Sequence, residues 1–298
     1  MNGVFWHPFA THHFAISGVE TWLWLPPLAA FVISFFTSMV GISGAFLLVP
    51  FQMSVLGFAS PSASATNLVF NLVAIPGAML RYWRERRLFW PLALLITVGG
   101  APGALIGAWL RTHWLADRVA FEPFVAAILL YLSWRMGVDW RREAGYTPPS
   151  GEARLISWNL REIRLLYGGW QYAIPLPSML AASFLVGVIG TAYGIGGGSF
   201  MVPLCLAMYR LPLHAIAGAT LTATFLTSAI ALAAYAWLPA PAGVAVRPDW
   251  ALGLAFGVGG LAGAYLGARM QKRVPQRLLK GLLGLLLLAL ALRYAWPG

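Results

Sequence analysis

Long apolar runs, separated by short basic segments, dominate the chain. Several runs exceed the roughly 18 residues that mark a membrane-spanning helix. Two apolar units, at 22–57 and 176–209, are too long for one crossing, and glycines interrupt each of them. The pattern predicts two broken helical hairpins, with the breaks at 41–44 and 194–198.

Three further apolar segments follow each hairpin. The sequence therefore predicts an all-α polytopic membrane protein of two repeats, each a broken helical hairpin plus three transmembrane helices. The predicted helices after the hairpins are 63–80, 88–110, 119–138, 213–238, 250–268 and 281–296.

The polar segments divide the chain into a tail at 1–21, a first transmembrane repeat at 22–138, a linker at 139–176 and a second repeat at 177–298. Within the linker, apolar and polar residues alternate up to Gly168-Gly169, which favours a small β-hairpin at the membrane surface. An amphipathic interfacial helix is the alternative.

The composition agrees with a membrane protein, since 59% of the residues are hydrophobic and 10% are charged, against about 25% charged in soluble domains. The net charge is +11, but the basic residues lie between the apolar runs. We expect them to contact lipid headgroups of the bilayer and not nucleic acid. The single cysteine, Cys205, excludes an intrachain disulfide, and we expect no cofactor or metal.

The distribution of Lys and Arg predicts the orientation. If the loops at 81–87, 139–176 and 269–280 are inside, sixteen of the twenty basic residues lie inside. The positive-inside rule therefore predicts both termini outside the membrane. Five arms in each half then make the halves inverted repeats, whose breaks would meet near the midplane.

The two breaks carry related sequences. Gly41-Ile42-Ser43-Gly44 and Gly194-Ile195-Gly196-Gly197 share their glycine and isoleucine spacing at an offset of 153 positions. Interrupted helices direct amide N–H groups and a positive partial charge toward the break, which suits a small anion. We see no charged residue near the predicted midplane, since Arg111 falls in a predicted loop. The anion would therefore be bound by dipoles and neutral donors.

The candidate substrate-binding residues are small glycine, hydroxyl or amide positions in or after the breaks. Their alternative role is close packing between membrane helices, where Gly, Ser and Thr are common. The candidates are Ser43, Gly44, Thr66, Asn67, Asn71, Gly196, Gly197, Gly198, Ser199, Thr220 and Thr224.

Several of these segments resemble the TauE/SafE sulfite exporter family. The resemblance rests on the duplicated Gly-Ile-x-Gly-Gly/Ala-x-x-x-Val-Pro element, on Ala65-Thr66-Asn67 and Gly218-Ala219-Thr220, and on Tyr167-Gly168-Gly169-Trp170. It covers about residues 25–292. The resemblance implies a multi-pass permease of the bacterial inner membrane for small sulfur-containing anions; with the charge pattern, the termini are expected to be periplasmic.

The expected function is export of sulfite, or of an organosulfonate such as sulfoacetate, by alternating access. The sequence leaves open an importer or channel for a related anion such as thiosulfate or sulfate. An intramembrane enzyme is disfavoured because no zinc pattern, Ser-His pair or paired carboxylate lies at depth. A membrane scaffold would not require two matching breaks, and the sequence does not decide whether the chain forms a homodimer.

Overall fold

The computed structural model describes residues 11–142, 152–198, 200–271 and 273–295. In the first half the helices are α1 (Leu25–Met39), α2 (Ala45–Ser54), α3 (Pro61–Arg84), α4 (Trp90–His113) and α5 (Arg118–Arg142). In the second half they are α6 (Leu176–Tyr193), α7 (Met201–Met208), α8 (Leu213–Trp237), α9 (Trp250–Met270) and α10 (Gln276–Ala295). The same order of elements thus occurs twice.

Seven of these helices, α3 to α6 and α8 to α10, are long and apolar enough to cross a membrane, among the residues described. The chain is a mostly helical polytopic membrane protein, as the apolar pattern predicts. Both predicted breaks are confirmed. At each one the chain leaves the first arm through a glycine in the left-handed region, Gly41 at φ 73° and Gly194 at φ 93°. Non-glycine residues rarely adopt this conformation.

Several helices extend beyond their predicted ends. α3 runs to Arg84, α4 to His113 and α5 to Arg142, and α10 begins at Gln276. The prediction ended α3, α4 and α5 just before Arg81, Arg111 and Asp139, and it began α10 just after Lys280. Basic side chains are stable in a helix's last turn, where they interact favourably with the terminal carbonyls and the helix dipole. The predicted linker boundary at 139 consequently lies inside α5.

Among its described residues the linker forms strands where an interfacial helix was the alternative, so that alternative is wrong. The predicted hairpin is confirmed and extended to an antiparallel three-stranded sheet of β3 (Arg154–Trp158), β4 (Glu162–Tyr167) and β5 (Trp170–Pro175). Gly168 and Gly169 form the β4–β5 turn at φ 57° and 83°. The prediction of an all-α fold is therefore corrected by two small sheets.

The second sheet lies in the tail. β1 (Thr11–Phe14) and β2 (Val19–Trp22) form an antiparallel hairpin. Its turn is anchored by Ser17, which donates from its backbone N (3.0 Å) and its Oγ (2.8 Å) to Oδ2 of Asp249, the N-cap of α9. Residues 1–10 of the predicted tail lie outside the described residues.

Two rows of glycines join the halves. On α4, an added Cβ at Gly99, Gly103 or Gly107 would overlap α6 at Leu180, Phe184 or Val188. Such close packing requires the absence of a side chain. In both helices the residue numbers rise together, so α4 and α6 are parallel.

The same contact recurs between α9 and α1. Gly259, Gly263 and Gly267 lie against Pro27, Phe31 and Phe35 of α1. The α9 glycines lie 160 positions after the glycines of α4, and the α1 residues lie 153 positions before their counterparts in α6. Each half therefore packs its first helix against the fourth helix of the other half. Between these pairs, α3 and α8 pack together and enclose the breaks.

Candidate transport site at the two helix breaks

The first break is bonded to α3 through two amide side chains. Ser43 Oγ donates to Asn71 Oδ1 (2.5 Å) and accepts from the backbone N of Ala45 (3.2 Å). Asn67 Nδ2 donates to the Ala45 carbonyl at 2.8 Å. Gly44 packs so closely on Ser34 that an added Cβ would lie 2.5 Å from its Oγ. The short arm α2 is thus fixed to α3 at its first residue.

The second break is held by the same two amides. Asn67 Nδ2 donates to the Gly194 carbonyl at 2.8 Å, and Asn71 Nδ2 donates to the Ile195 carbonyl at 3.0 Å. Asn71 Nδ2 also donates to Ser228 Oγ of α8 (3.0 Å). Asn67 and Asn71 therefore connect the two breaks directly, and both side chains are fully buried.

The glycines of the second break pack against α8. Gly197 N donates to Thr227 Oγ1 at 2.9 Å. An added Cβ at Gly196 would approach Ser228 Oγ and the Thr224 carbonyl, and one at Gly198 would meet Thr224 N at 2.5 Å. No side chain fits between this segment and α8. Ser199, the remaining predicted member, lies outside the described residues.

The two halves make equivalent contacts at the breaks. Asn67 of α3 donates to the Gly194 carbonyl, and Thr220 of α8, 153 positions later, donates to the Gly41 carbonyl at 3.4 Å. Gly194 packs on Ser64, and Gly41 packs on Ala217, at the same offset. Each break is thus held by the middle helix of the other half.

Two buried tyrosines at the same 153-residue offset bond the first helix of their own half, just before its break. Tyr82 Oη donates to the Ser38 carbonyl at 3.1 Å, and Tyr235 Oη donates to the Thr191 carbonyl at 3.3 Å. Each accepting residue lies three positions before the glycine that begins its break. Sequence analysis did not identify these tyrosines. A comparison of the two halves at the 153-residue offset would have paired them.

Thr66 and Thr224 have different positions relative to the breaks. Thr66 Oγ1 donates to the Ser62 carbonyl (2.8 Å) and accepts from the backbone N of Asp249 (2.8 Å), so the structure places it at the start of α9. Thr224 Oγ1 donates to the Thr220 carbonyl at 2.8 Å and contacts the Gly198 backbone. Of this pair, only Thr224 lies against a break.

Gln52 is a polar residue of the centre that sequence reasoning missed. It lies in α2, and its Nε2 donates to Asn67 Oδ1 at 3.3 Å. Its Oε1 is buried and has no hydrogen-bond partner among the residues described. Its amide in a short apolar arm would have identified it, because an unpaired polar group at membrane depth is costly.

Arg111 corrects the predicted end of the helix before it, since the sequence analysis placed this residue in a loop. It belongs to the last turn of α4, and its side chain has 0% exposure. The prediction assigned it to a loop because it follows the last apolar residue of the run. Burial beside α3 and the 55–60 segment, which sequence alone does not show, keeps it inside the bundle.

The centre is built from neutral polar groups. Its side chains are amides and hydroxyls bonded to main-chain carbonyls, and none forms a nucleophile–base pair. Among the residues described, no group of three His, Cys, Asp or Glu residues could hold a metal ion. Broken helices closing around a buried polar centre are typical of transporters.

A family comparison agrees with this geometry. The model of the sulfite exporter TauE/SafE family matches residues 27–294. The chain belongs to the TauE/SafE family. The match spans both breaks and both glycine rows, so the whole transmembrane bundle is the family domain.

Two curated relatives have nearly the length of this TauE/SafE protein. A probable membrane transporter protein, YunE, of Bacillus subtilis (strain 168) is 20% identical over 268 residues, covering 88% of this chain and 93% of the relative. A probable membrane transporter protein of Xylella fastidiosa (strain 9a5c) is 25% identical over 279 residues, covering 89% and 92%. No solved structure matches the chain significantly. The family and these relatives identify a multi-pass membrane transporter.

Proposed function

We propose that this TauE/SafE protein exports a small sulfur-containing anion, sulfite or an organosulfonate such as sulfoacetate, by alternating access between the two breaks. The observation that carries the proposal is the reciprocal bonding of each break to the middle helix of the other half. Two equivalent contacts, Asn67 with Gly194 and Thr220 with Gly41, can be released one at a time.

Alternating access requires a state that is closed to both sides. The side chains of Asn67, Asn71, Thr220 and Thr224 are completely buried, and the amide donors of both asparagines are bonded to the breaks. An anion that enters from one side would replace carbonyls as the partner of these donors. We expect the break on that side to move away from its middle helix when this happens.

Inverted repeats are part of the proposal. Ser62 N bonds the Ala245 carbonyl (2.9 Å), which brings the start of α3 to the end of the bundle where α9 begins. α10 returns from α9 and ends there too. The end of the first hairpin lies at this same end of the bundle, since Ser54 Oγ of α2 contacts Tyr294 Oη of α10 (2.5 Å). α6 runs parallel to α4 and begins at the opposite end, where Ser178 Oγ contacts Tyr209 Oη (3.0 Å). Entry of the hairpins from opposite ends supports inverted topology.

The charge distribution supports the proposed direction of transport. Under the positive-inside rule the linker is cytoplasmic and both termini are periplasmic. An inside-negative potential of about 100 mV favours the exit of a monovalent anion by roughly 2.3 kcal/mol. Export of such an anion from the bacterial cytoplasm therefore needs no coupling ion.

The function is tested by measuring sulfite flux in proteoliposomes under an imposed and then a reversed membrane potential. Sulfate, thiosulfate and sulfoacetate are measured in parallel. We expect sulfite or sulfoacetate to move toward the positive side and to reverse with the potential. Movement of a different anion would replace the substrate, and no anion movement by folded protein would refute the proposal.

A further inference from the structure

Arg111 lies at the end of α4 in a site made of uncharged groups. Its Nε donates to Ser64 Oγ at 3.0 Å, and its Nη2 donates to the Ala59 carbonyl at 2.6 Å. Its Nη1 donates to the Leu115 carbonyl. The guanidinium carbon lies 3.6 Å from the centre of the Phe121 ring. The group is thus fully enclosed by neutral partners.

Arg111 differs from the other buried arginines in having no carboxylate partner among the described residues. Arg87 pairs with Glu85 at 3.1 Å, and Arg135 pairs with Asp139 at 2.9 Å. A buried charge without an opposite charge is costly in a protein interior and still more so within a bilayer. An anion that visits the site would compensate this charge.

One side chain separates Arg111 from the second break. Ser64 accepts from Arg111 Nε and donates to the Tyr193 carbonyl at 3.5 Å. Gly194 packs on the same residue, since an added Cβ would lie 2.7 Å from the Ser64 Cα. The positive charge therefore acts on the segment that carries Gly194 to Gly198.

The position equivalent to Arg111 in the second half carries no charge. Gln271 occupies the position in the second half that corresponds to Arg111, at the 160-residue offset of the glycine rows. Gln271 Oε1 accepts from Arg87, which already pairs with Glu85. Of these two equivalent positions, Arg111 therefore carries the uncompensated charge.

We propose that Arg111 is the charge-selecting residue of the transport path. Its positive charge attracts a small oxyanion to the second break and disfavours cations and neutral solutes there. A guanidinium suits this class of ligand because its planar N–H groups can bond two oxygens of one oxyanion. The inference rests on the proposed function, since it requires that the transported solute is an anion.

Two matched pairs of variants test the role of the charge. Ser64→Asp places a carboxylate beside Arg111 and cancels its charge while leaving the arginine in place, and Ser64→Asn adds a neutral group of the same size. Arg111→Lys retains the charge, and Arg111→Gln removes it with a side chain that the second half already accommodates at this position. Arg118→Gln is the surface control, because Arg118 is exposed and pairs with Glu122 at 2.6 Å.

The measurement is sulfite flux against sulfite concentration in proteoliposomes, with equal amounts of protein that is monodisperse on gel filtration. We expect Ser64→Asp to be at least ten-fold slower than Ser64→Asn at low sulfite. We expect Arg111→Gln to need at least ten-fold more sulfite for half-saturation than Arg111→Lys. Arg118→Gln should match the wild type.

A purely structural role predicts a different pattern. The new carboxylate would give Arg111 an ion pair, so Ser64→Asp would carry sulfite as fast as Ser64→Asn, and this result would overturn the inference. If the Arg111 variants fail to fold, the Ser64 pair decides alone. Wild-type protein that moves no anion would refute the proposed function itself, whereas active wild type with equal Ser64 variants would refute only the role of Arg111.

Discussion

Asn67 uses its amide to join the two halves at the centre of the bundle. Its Nδ2 donates to one carbonyl in each break, and its Oδ1 accepts from Gln52. A buried carbonyl that loses its donor costs about 1–3 kcal/mol. The residue therefore contributes to stability and to the geometry of the breaks at once.

Asn67→Ala should lower both the thermal stability and the sulfite flux, because the Ala45 and Gly194 carbonyls lose their donor. We expect a destabilisation of about 2 kcal/mol and at least a ten-fold loss of flux. Denaturation in detergent and proteoliposome assays measure the two effects. Unchanged flux at normal stability would remove Asn67 from the site.

Thr220 and Thr222 form a matched pair for the contact with the first break. Both are buried on α8 and both donate to a carbonyl of their own helix, but only Thr220 also donates to Gly41. Thr220→Ala should therefore slow transport several-fold, whereas Thr222→Ala should leave transport unchanged. Equal fluxes of the two variants would argue against a role for this contact.

The sequence predicts part of this centre at the level of residues. Asn67 and Asn71 can be identified because they are amides four positions apart in a predicted membrane helix, and unpaired amides are costly there. Arg111 cannot, because its importance depends on neighbours that are distant in sequence. Arg111 is a plausible loop residue until its enclosure by Ser64 and Phe121 is known.

At the scale of elements, the glycine rows determine how closely the helices approach. The carbonyl of Phe31 occupies the space that a side chain at Gly263 would need, whereas Gly137 of α5 has nothing within 4 Å of an added Cβ. Both glycines lie within helices, so a comparison of their alanine variants separates the effect of packing from that of helix propensity.

Gly263→Ala should destabilise the protein by about 1–3 kcal/mol because the added methyl group forces α1 and α9 apart. Gly137→Ala should be neutral or slightly stabilising, since alanine favours helix over glycine by about 1 kcal/mol. Thermal unfolding of the two variants in the same detergent is the measurement. A similar loss of stability in both would contradict the packing explanation.

The sequence predicts the elements better than their ends. The breaks were recognisable from Gly41 and Gly194, because clustered glycines interrupt apolar runs. The last turns of α3, α4 and α5 were not, because charged residues at helix ends resemble loop residues. The strand β5 is not predicted, because the alternating pattern used to identify strands was followed only up to the Gly168-Gly169 turn.

At the scale of the whole molecule, the proposed orientation can be tested by labelling. His12 is exposed in the β1–β2 hairpin and Leu160 is 90% exposed in the linker, while the natural Cys205 is buried. A membrane-impermeant maleimide should label His12→Cys in intact spheroplasts and Leu160→Cys only after permeabilisation. The reverse result would invert the orientation and the inferred direction of export.

The exchange of helices between the halves has a consequence for biosynthesis. α1 is among the first helices to leave the ribosome, but the glycine row that receives it lies on α9, over 220 residues later. α1 must therefore wait in the membrane while more than 220 further residues are synthesised. Neither half should mature alone, and the two halves produced as separate polypeptides should assemble with each other.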